Sequence, residues 1–388
     1  MRDNRDRQET DRLSELLSGI KKPDIRAMEQ AKLRWNSVAK PIGSLGILEE
    51  DIIKIAGMRQ SSRDVSVEKS ALAVFCADHD VVKEGVTQTG QEVTRIVAEN
   101  LTKNMTSVTI MCGVSGTDVF PIDIGMKGET PPEKEFAPGI LLNRKIACGS
   151  RNIVKEAAMS EAECINALSV GISLVGDLKK NGYEIVLTGE MGIGNTTPSS
   201  ALAAVRMNRD PRELTGRGAG LSDEGLSIKQ RAVAHAVERF YKAHPFFQGM
   251  DWTKEDPKAA LTLLSELGGF DIAGMTGCFL GAAIHRIPVV IDGVISAVAA
   301  LLAVSMNHLV REYILASHVS QEPAGQELLN AIGLKAPLHC GMRLGEGSGA
   351  ASFLPILKMG SRVYKEMGTF EDISVESYVD YEAGGNRS

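Results

Sequence analysis

Four short apolar runs in the middle of the chain limit the folds that it can adopt. They comprise residues 71–77, 119–124, 184–188 and 288–291, and each is bounded by Gly, Asp or Pro. Because they lack apolar–polar alternation, they predict strands buried on both faces, as in a parallel sheet. Helical patterns lie at residues 92–104, 161–181, 197–207, 223–243, 258–267 and 272–285. Strand and helix therefore alternate, which predicts an α/β fold with a parallel sheet flanked by helices.

Both chain ends differ from this middle part by being richer in helical patterns. We predict a large α/β domain at residues 62–330 and a smaller helical domain built from residues 1–61 and 331–388 together. The tail at residues 382–388 is predicted to be disordered. Residues 289–306 form the most apolar stretch, but Asp292 and Gly293 interrupt it and leave too few residues to span a bilayer. We interpret this stretch as a buried strand, a turn and a core helix.

Charge and cysteine usage exclude several classes of protein. The 388 residues carry a formal net charge of −6 and no Lys/Arg block, so nucleic acid is not a predicted partner. The first twelve residues are charged and have no apolar core, so no secretory signal is predicted. The cysteines are far apart and form no Cys-x-x-Cys pair, which predicts reduced, mostly buried thiols in a cytoplasm: Cys76, Cys112, Cys148, Cys164, Cys278 and Cys340.

One carboxylate near the C-terminus stands among three glycines, in the sequence Arg343-Leu344-Gly345-Glu346-Gly347-Ser348-Gly349-Ala350. Glycine lets a backbone approach a ligand closely or adopt a positive φ. A carboxylate in such a setting is suited to face a substrate, and burial would raise its pKa toward neutrality. Glu346 is therefore the candidate general base. The alternative is an acidic residue in the first turn of the following helix, where the helix dipole favours it.

A second glycine–acid motif follows the third predicted strand, as Leu187-Thr188-Gly189-Glu190-Met191-Gly192-Ile193-Gly194-Asn195-Thr196-Thr197-Pro198. Strand, glycine turn and helix follow in order, with Asn195 or Thr196 as N-cap and Pro198 in the first helical turn. Such a turn directs free N–H groups and the positive end of the helix dipole at one point, which favours a phosphate. It matches neither G-x-G-x-x-G nor the P-loop. A purely structural turn remains open, and Glu190 would repel a phosphate unless a cationic centre or a sugar also binds there.

Two further segments carry candidate binding groups. Lys229 lies in the second turn of a helix predicted to begin after the N-cap Ser222, so it could reach a phosphate held at a strand end. The alternative is a solvated helical lysine. Asp78, His79 and Asp80 follow the first strand, but no second His or Cys cluster lies at ligand spacing, so no metal site is predicted.

These motifs, taken in chain order, resemble those of the nicotinate-nucleotide–dimethylbenzimidazole phosphoribosyltransferases of cobalamin lower-ligand synthesis. The resemblance covers residues 40–357 and includes, besides the two glycine–acid motifs, Gly216-Arg217-Gly218 and Ala316-Ser317-His318. It implies transfer of phosphoribose from nicotinate mononucleotide to an aromatic base such as 5,6-dimethylbenzimidazole, giving α-ribazole phosphate and nicotinate. It also implies a Rossmann-like fold, a homodimer, and no cofactor or metal.

The resemblance assigns a role to each matching position. Glu346 matches the general base and Glu190 the second active-site glutamate. The other positions implied to bind substrate are Lys229, Gly192, Ile193, Gly194, Asn195 and Thr196 for the phosphate, Ser320 near the ribose phosphate, Thr87 and Gln91 near the aromatic base, and Leu344 and Gly345 beside the general base. These roles require Glu346 and the turn after Thr188 to face each other across one cavity.

Departures from the family pattern leave alternatives open. Asp80 stands where glycine is commoner, and residues 87–91 are small and polar where an aromatic residue is commoner. A paralogue that activates a phenolic or other base, alone or as one subunit of a heterodimer, is therefore the alternative function. A non-catalytic subunit is disfavoured by the intact Glu190, Lys229 and Glu346. A dehydrogenase is disfavoured because no G-x-G-x-x-G follows the first strand.

Overall fold

The computed structural model of the protein describes residues 11–378. Six parallel strands form one sheet in the order β3-β2-β1-β4-β5-β6. The strands are β1 (Ser70–Ala77), β2 (Thr117–Gly125), β3 (Leu142–Asn143), β4 (Ile185–Met191), β5 (Val289–Ile291) and β6 (Ile314–Ala316). The chain winds outward from β1 to β3 and then returns to add β4 on the other side of β1. Loops leaving β1 and β4 therefore diverge, which opens a crevice at the carboxyl edge of the sheet.

The helices flank this sheet, which confirms the predicted fold class. They are α1 (Ile25–Ser37), α2 (Ile47–Arg59), α3 (Glu92–Leu101), α4 (Ser107–Ser115), α5 (Glu161–Lys180), α6 (Thr196–Met207), α7 (Pro211–Leu214), α8 (Asp223–Ala243), α9 (Pro257–Leu267), α10 (Phe270–His285), α11 (Val294–Met306), α12 (Gly325–Ile332) and α13 (Ser348–Glu366). Residues 11–17 are helical as well. None of the helices within the described part of the chain is long and apolar enough to cross a membrane.

One prediction about the strands is wrong. The segment Gly189-Glu190-Met191 was assigned to a glycine turn, but β4 continues through it to Met191. The cause is the neighbouring strand, because β1 remains paired with β4 up to the partners Cys76 and Met191. The extension places Glu190 on the sheet itself, so its side chain has a fixed direction that a turn would not give it.

Two helices on one face of the sheet approach to backbone contact. A methyl group at Gly171 of α5 would lie 2.1 Å from the carbonyl oxygen of Gly274 in α10, and one at Gly277 would lie 2.1 Å from that of Leu168. Only glycine allows such an approach. The close pairing holds the N-terminus of α10, and with it the buried Asp271, below the carboxyl edge of the sheet.

The two chain ends pack together. Trp35 in α1 contacts Tyr364 in α13 edge-to-face at 5.1 Å, and Val38 forms an antiparallel bridge with Thr369. The Tyr364 hydroxyl also donates to the carbonyl oxygen of Ser62. A separate small domain at these ends stays a prediction. Residues 1–10 and 379–388, which include most of the charged N-terminal segment and the tail predicted to be disordered, lie outside the described residues.

Candidate active site

A cavity of about 300 Å³ opens beyond the carboxyl ends of β4, β5 and β6. Its lining comes from chain segments that are far apart in sequence: residues 86–97, 190–196, 217–229, 292–296, 318–322 and 343–346. This is the edge at which ligands bind in doubly wound sheets. The fold therefore gathers the two glycine–acid motifs and the segment that carries Lys229 around one space.

Glu346 enters this cavity on a turn that ends before the last helix. Gly345, Glu346 and Gly347 have φ angles of +85°, +61° and +95°, and α13 begins only at Ser348. Three consecutive left-handed residues reverse the chain sharply, which explains why two of them are glycine. The alternative position in the first turn of α13 is thus excluded. Burial, and secondarily the charge of Asp292, raises the pKa of Glu346 above its usual value.

The turn is held by Asp292, which follows β5. Its fully buried carboxylate accepts hydrogen bonds from the N–H groups of Gly347 at 3.0 Å, Gly349 at 2.7 Å and Ala350 at 3.3 Å. These groups belong to the N-terminus of α13, which has no side-chain cap of its own. An aspartate that directly follows β5 therefore caps α13 and anchors the Glu346 turn to the sheet.

Glu190 projects from β4 beside this turn. A Cβ atom at Gly345 would lie 2.5 Å from Glu190 Oε1, and one at Gly189 would lie 2.5 Å from the carbonyl oxygen of Glu346. Both glycines are thus needed for the two acidic segments to approach each other. Burial first, and the charge of Asp271 second, raises the pKa of Glu190 to about 8. Two carboxyl groups with raised pKa values form one wall of the cavity.

Lys229 lies at another part of the lining. Its side chain is only 1% exposed, and its Nζ donates to Thr196 Oγ1 at 2.7 Å. Ser222 caps α8 as predicted, by accepting from Gly225 N. Burial lowers the pKa of Lys229 to about 8, against a small opposing effect of Glu322. The alternative of a solvated helical lysine is therefore excluded.

The same Thr196 begins α6. Asn195 occupies the N-cap position, but its side chain makes no capping hydrogen bond and turns toward Glu190 and Asp271 instead. The N-terminus of α6 therefore presents its positive end to the cavity beside the Lys229 ammonium. A buried cation next to a helix N-terminus is suited to bind an anion such as a phosphate.

Comparison with known proteins agrees with this arrangement. A family model described as Phosphoribosyltransferase matches residues 20–375. The nicotinate-nucleotide–dimethylbenzimidazole phosphoribosyltransferase of Ruminiclostridium cellulolyticum is 40% identical over 364 residues, which cover 94% of this chain and 98% of that protein. The enzyme of the same name from Clostridium acetobutylicum is 41% identical over 366 residues, which cover 94% and 98%. The chain belongs to this phosphoribosyltransferase family.

The fold agrees with a solved structure of the family. The crystal structure of CobT from Thermus thermophilus matches with a TM-score of 0.81 at 32% identity, covering 91% of this chain and 100% of that one. The resemblance stated from the motifs is therefore confirmed, and the protein is an enzyme of the pentosyltransferase class.

The structure brings twelve of the thirteen predicted site residues of this phosphoribosyltransferase to the cavity lining: Thr87, Glu190, Gly192, Ile193, Gly194, Asn195, Thr196, Lys229, Ser320, Leu344, Gly345 and Glu346. Gln91 is not in the lining. Its amide donates to the carbonyl oxygen of His79 and accepts from Lys127 Nζ at 2.6 Å, so it braces the loop after β1 instead. The roles of the twelve stay predictions.

Sequence reasoning missed the buried acids that support the phosphoribosyltransferase site. Asp271 and Asp292 are both fully or almost fully buried, and neither belongs to a glycine–acid motif. From the sequence, Asp292 stands out only because it interrupts the most apolar stretch. Both acids stand next to apolar runs, and this sequence setting predicts a buried aspartate that has a polar partner. Among residues 11–378, no group of three or more His, Cys, Asp or Glu side chains is placed to hold a metal ion.

Proposed function

We propose that the protein transfers the phosphoribosyl group of nicotinate mononucleotide to 5,6-dimethylbenzimidazole, releasing nicotinate and forming α-ribazole phosphate. One observation carries the proposal beyond family membership. A single cavity has carboxyl groups on one wall and, elsewhere in its lining, a buried ammonium beside a helix N-terminus. Nicotinate mononucleotide has matching chemistry, because its phosphate is anionic and its pyridinium ring nitrogen is cationic.

In the proposed reaction the phosphate binds at Lys229 and the N-terminus of α6. The bond between the ribose carbon and the pyridinium nitrogen breaks, and its electron pair goes to nicotinate. The leaving ring nitrogen becomes neutral without taking a proton, so this step needs no general acid. Glu190 lies where a carboxylate stabilises the positive charge that develops on the ribose.

The incoming base has the opposite requirement. One benzimidazole nitrogen donates its electron pair to the ribose carbon, and the N–H on the other nitrogen becomes acidic. Glu346 accepts this proton, and the raised pKa of its carboxyl group suits it to do so near neutral pH. The apolar side chains of Val86, Val93 and Val97, which line the cavity together with Leu344, are suited to contact the flat ring.

The test is product analysis by mass spectrometry. The purified protein is incubated with nicotinate mononucleotide and, separately, with 5,6-dimethylbenzimidazole, benzimidazole, adenine and phenol. We expect nicotinate release with 5,6-dimethylbenzimidazole and a product of the mass of α-ribazole phosphate. If no base causes nicotinate release, the proposal is wrong, and turnover of phenol alone would favour the paralogue with a different base.

We also propose a homodimer in a cytoplasmic, reducing environment. The free thiol state of all six cysteines supports the compartment. The dimer is supported by exposed apolar side chains on the packed pair α4 and α13, namely Ile110, Val114 and Met359. Light scattering should report twice the chain mass of 41.6 kDa, and a mass of one chain would contradict the proposal.

A further inference from the structure

A chain of buried polar side chains leads from Glu190 into the protein. The Asn195 amide nitrogen donates to Glu190 Oε2 and, at 3.0 Å, to Asp271 Oδ2. The other oxygen of Asp271 lies 3.1 Å from His79 Nε2, and His79 Nδ1 lies 3.2 Å from Ser150 Oγ. The residue types are those of a hydrolytic triad, but the two imidazole nitrogens are exchanged relative to one, since Nδ1 faces the serine and Nε2 faces the aspartate.

Burial excludes a nucleophilic role for Ser150. Ser150 and His79 are at most 2% exposed, Asp271 is fully buried, and none of the three lines the cavity. A serine without space for a substrate carbonyl cannot form an acyl intermediate. The three residues therefore act on their neighbours rather than on a substrate.

The surrounding backbone is shaped to admit this chain. A Cβ atom at Gly192 would lie 3.0 Å from Asp271 Oδ2 and 3.1 Å from His79 Nε2. One at Gly269 would lie 2.2 Å from the His79 ring. Glycine directly after β4 and directly before α10 therefore leaves room for Asp271 and His79 to approach each other.

We propose that Asp271 is a positioning residue that orients Asn195 and, through Asn195, holds the Glu190 carboxylate toward the reacting sugar. With both hydrogens of the Asn195 amide directed at carboxylates, the amide has one favourable orientation, because the flipped amide would place its oxygen against two acids. On its other side, Asp271 Oδ1 accepts from the N–H of Ile272 and lies 3.1 Å from His79 Nε2. The inference deepens the proposed function and rests on it.

Electrostatics supports the same arrangement. The Asp271 charge raises the pKa of Glu190, whereas the Asn195 hydrogen bond lowers it. The groups that face Glu190 and Asp271 are Asp292 after β5, Glu346 before α13, Cys76 on β1 and His79 after β1. Removing Asp271 and removing Asn195 should therefore move the pKa of Glu190 in opposite directions.

The test is the pH dependence of kcat in two variants. Asp271→Asn should shift the acidic limb of the profile to lower pH and reduce kcat by ~10- to 10²-fold, the scale of a small misplacement of a catalytic group. Asn195→Ala should also reduce kcat but shift the acidic limb to higher pH. The KM for nicotinate mononucleotide should change little in Asp271→Asn, because Asp271 does not touch the phosphate end of the cavity.

The Glu190→Gln background supplies the decisive comparison. If Asp271 acts through Glu190, adding Asp271→Asn to Glu190→Gln should leave kcat and its pH profile unchanged. An equal loss of kcat in both backgrounds would overturn the proposal, as would a wild-type profile in Asp271→Asn. Should Asp271→Asn fail to fold, Asn195→Ala decides alone: an acidic limb that does not move to higher pH overturns the proposal.

Asp123 offers a matched control. It is a second fully buried carboxylate, at the end of β2, where it accepts from Met126 N and pairs with Lys145 at 3.1 Å. Asp123→Asn should lower the melting temperature without moving the acidic limb of the kcat profile. A shift of that limb as large as the one in Asp271→Asn would overturn the proposal that Asp271 acts through its position beside Glu190. Absence of nicotinate release by the wild-type protein would instead refute the proposed function itself.

Discussion

Replacing Lys229 by Met separates the role of its charge from the role of its packing. Met keeps an unbranched apolar chain in place of the buried stem and removes the ammonium that donates to Thr196 Oγ1. Burial lowers the pKa of Lys229 from 10.5 to about 8. At neutral pH, burial of the Lys229 ammonium therefore destabilises the ligand-free wild-type protein, and the Met variant lacks this unfavourable charge.

The pKa shift sets the size of the effect on stability. Each unit of pKa corresponds to ~1.4 kcal/mol, so the shift amounts to about 3 kcal/mol below pH 8. The unfolded lysine binds a proton more tightly than the folded one, so wild-type stability rises with pH between about 8 and 10.5. Lys229→Met should thus melt up to ~4 °C higher than wild type at pH 7, and the difference should shrink across that pH window.

Activity should change in the opposite direction. A hydrogen bond to a charged group contributes ~1.5–3 kcal/mol, so loss of the contact with the substrate phosphate should lower kcat/KM by ~10- to 150-fold. Scanning fluorimetry between pH 6 and pH 10 and steady-state nicotinate release provide the two measurements. Lys242 on the same helix is 75% exposed and pairs with Glu238, so Lys242→Met should change neither quantity much. A Lys229→Met protein that melts below wild type and keeps its kcat/KM would refute this reasoning.

Three other predictions concern the carboxylate wall. Glu346→Gln should lower kcat by ~10²–10⁴-fold without lowering the melting temperature, since burial disfavours the ionised carboxyl group that the variant removes; near wild-type turnover would contradict its role as base. Because the pKa of Glu190 is raised to about 8 and that of Lys229 is lowered to about 8, kcat/KM should rise with pH toward 8 and fall above it; a flat profile from pH 6 to pH 10 would argue against both groups. Gly345→Ala should lower kcat and cost ~1–3 kcal/mol, since its φ is +85° and its methyl group would meet Glu190. The control Gly113→Ala, in a helix with open space around it, should stabilise by ~0.5–1 kcal/mol, as thermal unfolding of both variants would show.

The elements that were predictable from sequence are those whose signal is local. The predicted helix at residues 223–243 agrees with α8, because its cap Ser222 and its apolar face lie within the segment itself. Short edge strands gave no such signal. Strands β3 and β6 have two and three residues, and their pairing depends on neighbours that are distant in sequence.

The partners of the buried acids Asp271 and Asp292 were unpredictable for the same reason. Asn195 and Asp271 are 76 positions apart, and Gly347 and Asp292 are 55 apart. Neither pair leaves a periodic pattern, since the first contact forms only when α10 packs on the sheet and the second only when α13 does. Gln91 shows the converse case. The family resemblance predicts it near the aromatic base, but its amide bonds to Lys127 and to the carbonyl oxygen of His79 instead.

Asp292 leaves the ribosome well before the groups that bind its carboxylate. Gly349 and Ala350 follow it by 57 and 58 residues, which synthesis at ~5–20 residues per second adds in ~3–12 s. During that interval, burial of the Asp292 carboxylate is unfavourable, because the desolvation of a buried ion without these N–H partners costs several kcal/mol. In a nascent chain this edge of the sheet therefore stays hydrated until α13 packs against it. A transcript truncated before α13 yields a protein that lacks both the Glu346 turn and the N–H groups that bind Asp292.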